Sequence, residues 1–184
     1  NVMMGSMLKR DQDRVSIIIK GDGPIGGIIT ESNGKGEVKG YVYNPQIESH
    51  LNYLGKLDVG GAVGNANMTV VKDLGMKEPY SGQVPMLTGE IAEDLTYYFA
   101  VSEQTNSVVI LGVLVDVDYS IKQAGGIIIQ VLPDAKDEAI DALEEKTGVK
   151  APAPLAGLRG KTVRFTGCIE KTKMTDCVVD FIKE

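Results

Sequence analysis

The 184-residue sequence contains no tryptophan, one histidine (His50) and two cysteines (Cys168 and Cys177). Two cysteines cannot form a disulfide framework or a closed zinc site, and a single histidine argues against histidine-based catalysis. We therefore interpret both cysteines as small buried hydrophobic residues, although the sequence leaves open whether they are redox-active. Their scarcity is typical of a cytoplasmic protein.

The sequence also lacks an excess of basic residues and any long apolar run. Its formal net charge is −6, whereas a nucleic-acid-binding surface needs a basic stripe. No apolar stretch approaches the roughly 20 residues that a membrane span requires. With 43% hydrophobic and 24% charged residues, the composition predicts a globular protein that binds neither nucleic acid nor membrane.

The glycine-rich stretch Gly21–Gly26 matches the pattern G-x-G-x-x-G, which is typical of dinucleotide-binding sites. Such a site requires a helix after the last glycine, because the N–H groups at the helix N-terminus hold the pyrophosphate. Here a β-branched run at residues 27–32, a turn at 33–36 and an alternating segment at 37–43 follow. With the apolar run at 15–20, this predicts a three-stranded meander, and a nucleotide-binding turn is the weaker alternative.

The clearest helix is predicted at residues 88–104, with Ile91, Leu95, Tyr98 and Phe99 on one apolar face. Its first turns carry Glu90, Glu93 and Asp94, which could be proposed as an acid–base pair or a metal site. Because no histidine or further ligand accompanies them, we interpret all three as solvated side chains that favour the positive end of the helix dipole.

Other elements follow from periodicity and from glycine and proline positions. We predict the end of a helix at residues 2–9, an irregular segment at 46–64, and further strands at 67–74, 80–87, 107–116 and 121–132. Pro85 indicates an edge strand or bulge, and Gly125 and Gly126 indicate a bulge or close backbone approach. A helix is expected at 134–146. Near the C-terminus, a strand at 162–170 precedes a helix with the apolar positions Met174, Cys177, Val178, Phe181 and Ile182.

Several of these strings resemble the heat-shock protein 33 family, the redox-regulated holdase chaperones. They are G-D-G-P-I-G-G-I-I and G-E-V-K-G-Y-V-Y-N-P within residues 21–45, V-V-K-D-L-G at 70–75, G-E-I-A-E-D-L-x-Y-Y-F-x-x-S-E-Q at 89–104, and A-G-G-I-I-I-Q-V-L-P at 124–133. The resemblance implies an α+β fold, in which helices pack on a twisted, mainly antiparallel sheet.

Two departures from the family pattern affect the interpretation. The strand and helix that begin family members resemble residues 162–184, at the opposite end of this chain. We therefore expect a truncated, rearranged core, with a chaperone core at 1–146, a Pro/Gly/Ala linker at 147–161, and residues 162–184 completing the core. The second departure is that the family's C-x-C and C-x-x-C zinc motifs are absent. We accordingly expect no zinc and no other cofactor.

The resemblance implies an ATP-independent holdase that binds unfolded or partly folded client proteins, as a cytoplasmic homodimer, without enzymatic activity. The sequence identifies no catalytic residues and does not show which residues bind clients. An inactive structural fragment is one alternative. A small-molecule-binding enzyme that uses the Gly21–Gly26 turn is another.

Overall fold

A computed structural model describes residues 1–48, 50–118, 120–131, 163–169 and 177–179 of the chain. The chain divides into two compact units, Asn1–Asp94 and Leu95–Glu184. The described strands pair antiparallel and form one sheet in each unit, accompanied by three helices. The predicted α+β class is confirmed. The predicted helix at 134–146 and linker at 147–161 lie outside the described residues.

The sheet of the first unit has five strands in the order β3-β2-β1-β4-β5. Their bounds are Arg14–Gly21 (β1), Gly27–Asn33 (β2), Val38–Val42 (β3), Ala66–Asp73 (β4) and Tyr80–Pro85 (β5). Strands β1 to β3 are the predicted meander. Strand β5 lies at one edge of the sheet, as Pro85 indicated, since a proline cannot donate to a ladder.

The core of the first unit lies on one face of this sheet. Side chains alternate across a strand, and the register places the buried residues of neighbouring strands side by side, as in Ile17 beside Val70. The buried apolar side chains of β1, β4 and β5 are Val15, Ile17, Ile19, Ala66, Met68, Val70 and Val84. The period-two pattern of the sequence therefore identified the face that this unit buries.

Helix α1, Val2–Ser6, contacts β1 and β2. It ends short of the predicted Lys9, and Gly5 lies so close to β2 that an added Cβ would come within 2.5 Å of the Ser32 hydroxyl. Ser32, which is buried, donates a hydrogen bond of 2.9 Å to the Asn1 carbonyl. This close approach fixes the helix against the meander.

An ion pair closes the turn between α1 and β1. Arg10 Nη2 lies 2.7 Å from Asp13 Oδ1, and Arg10 Nε donates to the same oxygen at 2.8 Å. Arg10 also donates to the carbonyl of Leu74, beyond the end of β4. The hydrogen bond from Arg10 lowers the pKa of the Asp13 carboxyl below its ordinary value of 3.8. The pair therefore links the start of β1 to the end of its neighbour.

Helix α2, Val59–Val63, lies within the segment that we expected to be irregular. It is a single turn, too short to leave a periodic signal. Asp58 caps it, because its Oδ1 accepts a hydrogen bond of 2.9 Å from the Gly61 N–H. Helix α3, Ile91–Val101, is the helix predicted at residues 88–104.

The sheet of the second unit has the order β6-β7-β8-β9. Its strands are Ser107–Val115 (β6), Ile121–Val131 (β7), Val163–Ile169 (β8) and Cys177–Val179 (β9). Of the two alternatives predicted at Gly125 and Gly126, the bulge is absent, because both residues keep a continuous register with β6 and β8. The close backbone approach stays a prediction. The irregularity lies between Leu114 and Val115.

The predicted strand near the C-terminus is confirmed as β8, which pairs with β7 of the same chain. The helix predicted after it is wrong at Cys177–Val179, which forms β9 and pairs antiparallel with β8. Both strand and helix can bury a short apolar run, so periodicity could not decide between them. Met174, Phe181 and Ile182 lie outside the described residues.

No helix in the described part of the chain has the length and apolarity needed to span a bilayer.

We expect Met68→Ala to reduce the free energy of unfolding by about 2–5 kcal/mol, the usual cost of truncating a fully buried side chain and leaving a cavity. Met68 has no exposed surface, whereas Met76 is 59% exposed and provides the matched control, Met76→Ala. Urea denaturation at 25 °C measures both changes. Equal losses in the two variants would contradict the described core.

We expect Asp13→Asn to destabilise the protein at neutral pH and progressively less in acid. The pKa of Asp13 is lowered in the folded state, so its contribution is present above the unfolded-state value and is lost as pH falls through the folded value. Thermal unfolding of both proteins between pH 7 and pH 3 measures the difference. Asp11→Asn, two residues away on an exposed side chain, is the control. A gap that stays constant with pH would contradict the ion-pair argument.

Candidate functional site

The Gly21–Gly26 turn has no free N–H groups for a phosphate. The N–H of Gly21 donates to Gly26 O at 3.1 Å, that of Gly26 to Gly23 O at 3.0 Å, and that of Gly23 to Val63 O at 3.0 Å. The remaining donors, those of Asp22 and Ile25, bond to Asn65 O and Ala62 O, and Pro24 has none. Strand β2 follows where a phosphate site would need a helix.

Close backbone packing explains the glycines of this turn. A Cβ on Gly23 would lie 2.5 Å from Ala62 O, and one on Gly21 would lie 2.1 Å from Val63 O. The turn therefore sits directly on the end of α2. Asp22 strengthens the contact, because Asn65 donates to it from its backbone N–H at 2.7 Å and from its side-chain amide at 3.0 Å. The side-chain hydrogen bond from Asn65 leads the effects that lower the pKa of Asp22.

The three carboxylates at the start of α3 do not form one group. Asp94 is buried and turns back to accept hydrogen bonds from the N–H groups of Leu87 at 2.7 Å, Thr88 at 3.2 Å and Gly89 at 2.9 Å. Our interpretation of Asp94 as a solvated side chain is therefore wrong. The missed signal is local, because a carboxylate in the first turn can satisfy orphan donors of the preceding loop as well as the dipole.

Glu93 is exposed and Glu90 is half-buried, in keeping with the dipole interpretation. Within the described ranges, no group of three or more His, Cys, Asp or Glu side chains could hold a metal ion. The N–H groups of the glycine turn and the carboxylate of Asp94 are thus engaged in structural hydrogen bonds.

The string Y-Y-F-x-x-S-E-Q, residues 97–104, covers the C-terminal end of α3 and the residues just after it. Tyr98 and Phe99 are buried, with ring centroids 5.7 Å apart in an edge-to-face arrangement. The Tyr98 hydroxyl donates to Glu103 at 2.8 Å, and the N–H of Thr105 bonds to Phe99 O at 2.9 Å. These contacts indicate a structural role for the string.

Exposed apolar side chains are concentrated at two places in the first unit. At the end of β3, the ring of Tyr41 stacks on that of Tyr43, the residue after the strand, at a centroid distance of 6.0 Å, and both are more than half exposed. A small hairpin at residues 51–57 presents a second group, Leu51, Tyr53, Leu54 and Leu57. The described part of the second unit presents a third group around the β6–β7 turn, Leu111, Val113, Leu114, Val117 and Ile121.

A groove of 610 Å³ lies between the glycine turn and α2. Pro24, Ile25 and Ile28 line one side, and Val59, Ala62 and Val63 line another. The remaining lining residues are Asn44, Gln46, Ile47, Glu48, His50, Leu57, Asp58 and Gly61. The lining is mainly apolar with a few polar groups, which is typical of a surface that takes up side chains or small molecules.

The two cysteines lie on adjacent strands. Cys168 is in β8 and Cys177 in β9, where the register pairs Cys177 with Gly167. Their predicted burial stays a prediction.

The sequence resembles proteins of one family over most of its length. The model of the Hsp33 protein family matches residues 1–162. The 33 kDa chaperonin of Agathobacter rectalis is 55% identical over 144 residues, which are 78% of this chain and 50% of that protein. The 33 kDa chaperonin of Clostridioides difficile is 57% identical over 144 residues, 78% of this chain and 49% of its own length.

The structure agrees with these sequence matches. The crystal structure of the 33 kDa chaperonin (heat shock protein 33 homolog) of Thermotoga maritima aligns with a TM-score of 0.72 and 38% identity, over 96% of this chain and 64% of that one. The fold and the matched sequence define a chaperonin-related α+β core. The chain belongs to the Hsp33 family. It spans about half the length of the curated relatives it matches, and the rearranged order stays a prediction.

Sequence reasoning did not identify the tyrosine pair, the groove or the 51–57 hairpin as surface features. For the tyrosines a signal exists, because Tyr41 and Tyr43 are two residues apart on a predicted strand and must share a face. Which face is exposed depends on the position of β3 at the sheet edge, and the sequence does not give the strand order.

We expect Asp94→Asn to lower the free energy of unfolding by about 1–3 kcal/mol, because an amide offers one acceptor oxygen and leaves buried donors without a partner. Glu93→Gln removes the same charge from the same helix turn on an exposed side chain, and its effect should stay within about 0.5 kcal/mol. Guanidinium denaturation of the two variants gives the comparison. Equal effects would mean that the helix dipole, and not the buried hydrogen bonds, accounts for Asp94.

Proposed function

We propose that this chain is the core of an ATP-independent holdase chaperone, which binds unfolded or partly folded client proteins. The observation that carries the proposal is the concentration of exposed apolar side chains at β3, at the 51–57 hairpin and at the β6–β7 turn. Contiguous exposed apolar surface is the physical basis for binding polypeptides that have lost their own cores. The family's members are named chaperonins, which supports the same function.

The proposal includes no reaction. The N–H groups of the glycine turn and the carboxylate of Asp94 are engaged in internal hydrogen bonds, so neither supports nucleotide binding or acid–base catalysis. We propose a cytoplasmic homodimer that does not act as an enzyme and does not bind nucleic acid or membranes. The small number of cysteines supports the cytoplasmic location. The net charge of −6 supports the absence of nucleic-acid binding.

We further propose that these 184 residues bind no structural zinc. A closed tetrahedral site needs four ligands, and the chain contains two cysteines and one histidine. An inactive structural fragment remains the alternative to be tested, and the activity assay below distinguishes it.

We expect the 184-residue polypeptide to suppress the thermal aggregation of a model client to the same extent when reduced and when treated with peroxide. A population switch requires a modification that favours one state, and within this chain Cys168 and Cys177 are the only thiols. Light scattering of the heated client, with and without a molar excess of the chain, measures the suppression.

The matched control is the double variant Cys168→Ser/Cys177→Ser, which should suppress aggregation as well as the unaltered chain does. Activity that appears only after oxidation, and that the double variant loses, would show that the two cysteines form a switch. Absence of activity in both states would favour the inactive fragment.

Metal analysis of the purified chain should find substoichiometric zinc.

A further inference from the structure

Among the described residues, strand β3 is an open edge of the five-stranded sheet. Its regular register with β2 pairs Val38 with Ser32, Gly40 with Thr30 and Val42 with Ile28. On the other side of β3, no strand of the described chain is paired with it. Residues 38–41 are all exposed. A strand edge of this kind is a template for pairing with another extended chain.

The hydrogen bonds at the two ends of the β2–β3 ladder show which backbone groups face outwards. Asn33 donates to Glu37 O at 3.1 Å, and Tyr43 donates to Gly27 O at 2.9 Å. Because hydrogen-bonded pairs alternate along an antiparallel ladder, Lys39 and Tyr41 also face β2. The N–H and C=O groups of Val38, Gly40 and Val42 therefore point away from the sheet. These groups are three hydrogen-bond donors and three acceptors, spaced as the backbone groups of an added antiparallel strand would be.

The opposite edge of the same sheet is protected where β3 is not. Met86 donates to Ala66 O at 2.8 Å, so by the same alternation the nitrogen of Pro85 on β5 faces outwards. A proline at such a position removes an outward donor and obstructs an incoming strand. Strand β3 contains no proline and no bulge, and its one lysine, Lys39, is held 3.0 Å from Glu31.

The side chains of β3 favour an apolar partner strand. Tyr41 lies at a non-hydrogen-bonded position of the outer ladder, where the Cβ atoms of paired residues come closest, about 4.5–5.5 Å apart. On the other face, Gly40 presents no side chain. The apolar groove begins beside the end of β3, because Ile28, the partner of Val42, lines it. Apolar residues at alternate positions of an added strand would thus meet Tyr41 on one face, and Val38 and Val42 on either side of Gly40 on the other.

We propose that the outer edge of β3 binds unfolded polypeptides by strand addition, as a sixth strand of the sheet. The proposal rests on the proposed holdase function and specifies how clients are held. Main-chain hydrogen bonds supply affinity that does not depend on client sequence, and contacts with alternate side chains add selectivity for apolar segments. A chaperone that binds many clients needs this combination.

A second copy of this chain fits the edge less well than an unfolded client does. Five residues of strand span about 17 Å, whereas a stable dimer interface buries about 1,200–2,000 Å². A flexible client can follow the edge and also reach the groove, but a second folded sheet meets the edge alone.

Hydrogen–deuterium exchange of the unaltered chain gives the first test. The probe is reduced and carboxymethylated lactalbumin, which stays unfolded. At saturation we expect the outward amides of Val38, Gly40 and Val42 to exchange at least about tenfold more slowly, because strand addition gives them hydrogen-bond partners. The inward amides of Lys39 and Tyr41 are the internal control, since they are already hydrogen-bonded to β2 and should change little.

The second test uses Val38→Pro/Val42→Pro, which removes two outward donors and leaves the ladder to β2 intact. Pro85 on β5 occupies the same kind of outward position, so the substitution is compatible with an edge strand. We expect the dissociation constant for the probe to rise at least about tenfold. The matched control is Val38→Thr/Val42→Thr, which keeps both N–H groups and nearly the same side-chain shape and should bind within about twofold.

The outcomes separate this proposal from the proposed function. Binding of the probe without protection of the three outward amides would overturn strand addition and leave the holdase function standing. Protection that depends on the concentration of the chain alone would assign the edge to a second copy and overturn the proposal as well. Failure of the unaltered chain to bind the probe would overturn both. Should the proline variant unfold, the exchange experiment still decides.

Discussion

The contact between the glycine turn and the end of α2 is the constraint on which the first unit depends. The N–H groups of Gly23 and Ile25 bond to the carbonyls of Val63 and Ala62, and no side chain could be inserted at Gly21 or Gly23 without displacing that backbone. The contact joins two segments more than 35 residues apart. It also fixes the β1–β2 connection, because the same turn bonds across itself between Gly21 and Gly26.

The groove and the β3 edge follow from this contact. Pro24, Ile25, Ala62 and Val63 form part of the groove because the turn and α2 are held together. Asn44 is drawn to the same turn, since its N–H donates to Ile25 O and its side-chain amide donates to Pro24 O. The end of β3 is thereby fixed beside the groove, so that exposed backbone and apolar surface lie next to each other. A holdase could use both without a reaction or a cofactor.

Three aspartates hold irregular segments of the described chain in place. Asp22, Asp58 and Asp94 each accept backbone N–H groups of a loop or helix start. In a sequence such carboxylates resemble candidates for catalysis, and the structure assigns them to loop geometry. Because charge-assisted hydrogen bonds of this kind are strong, they hold irregular segments in place where neither a helix nor a sheet ladder is available.

The sequence by itself determined the meander, strands β4 to β8 and helix α3, because each has a clear hydrophobic periodicity or is bounded by glycine, proline or other turn residues. The rejection of the nucleotide site also followed from the β-branched run after Gly26. The sequence could not distinguish a strand from a helix at Cys177–Val179, where three apolar residues fit either, and it could not detect the single turn of α2. Tertiary structure alone decided that Asp94 is buried and that β3 is an edge strand with no outer partner in the described part of the chain. Burial and edge position depend on which segments become neighbours, and that depends on long-range contacts such as the one between Gly23 and Val63.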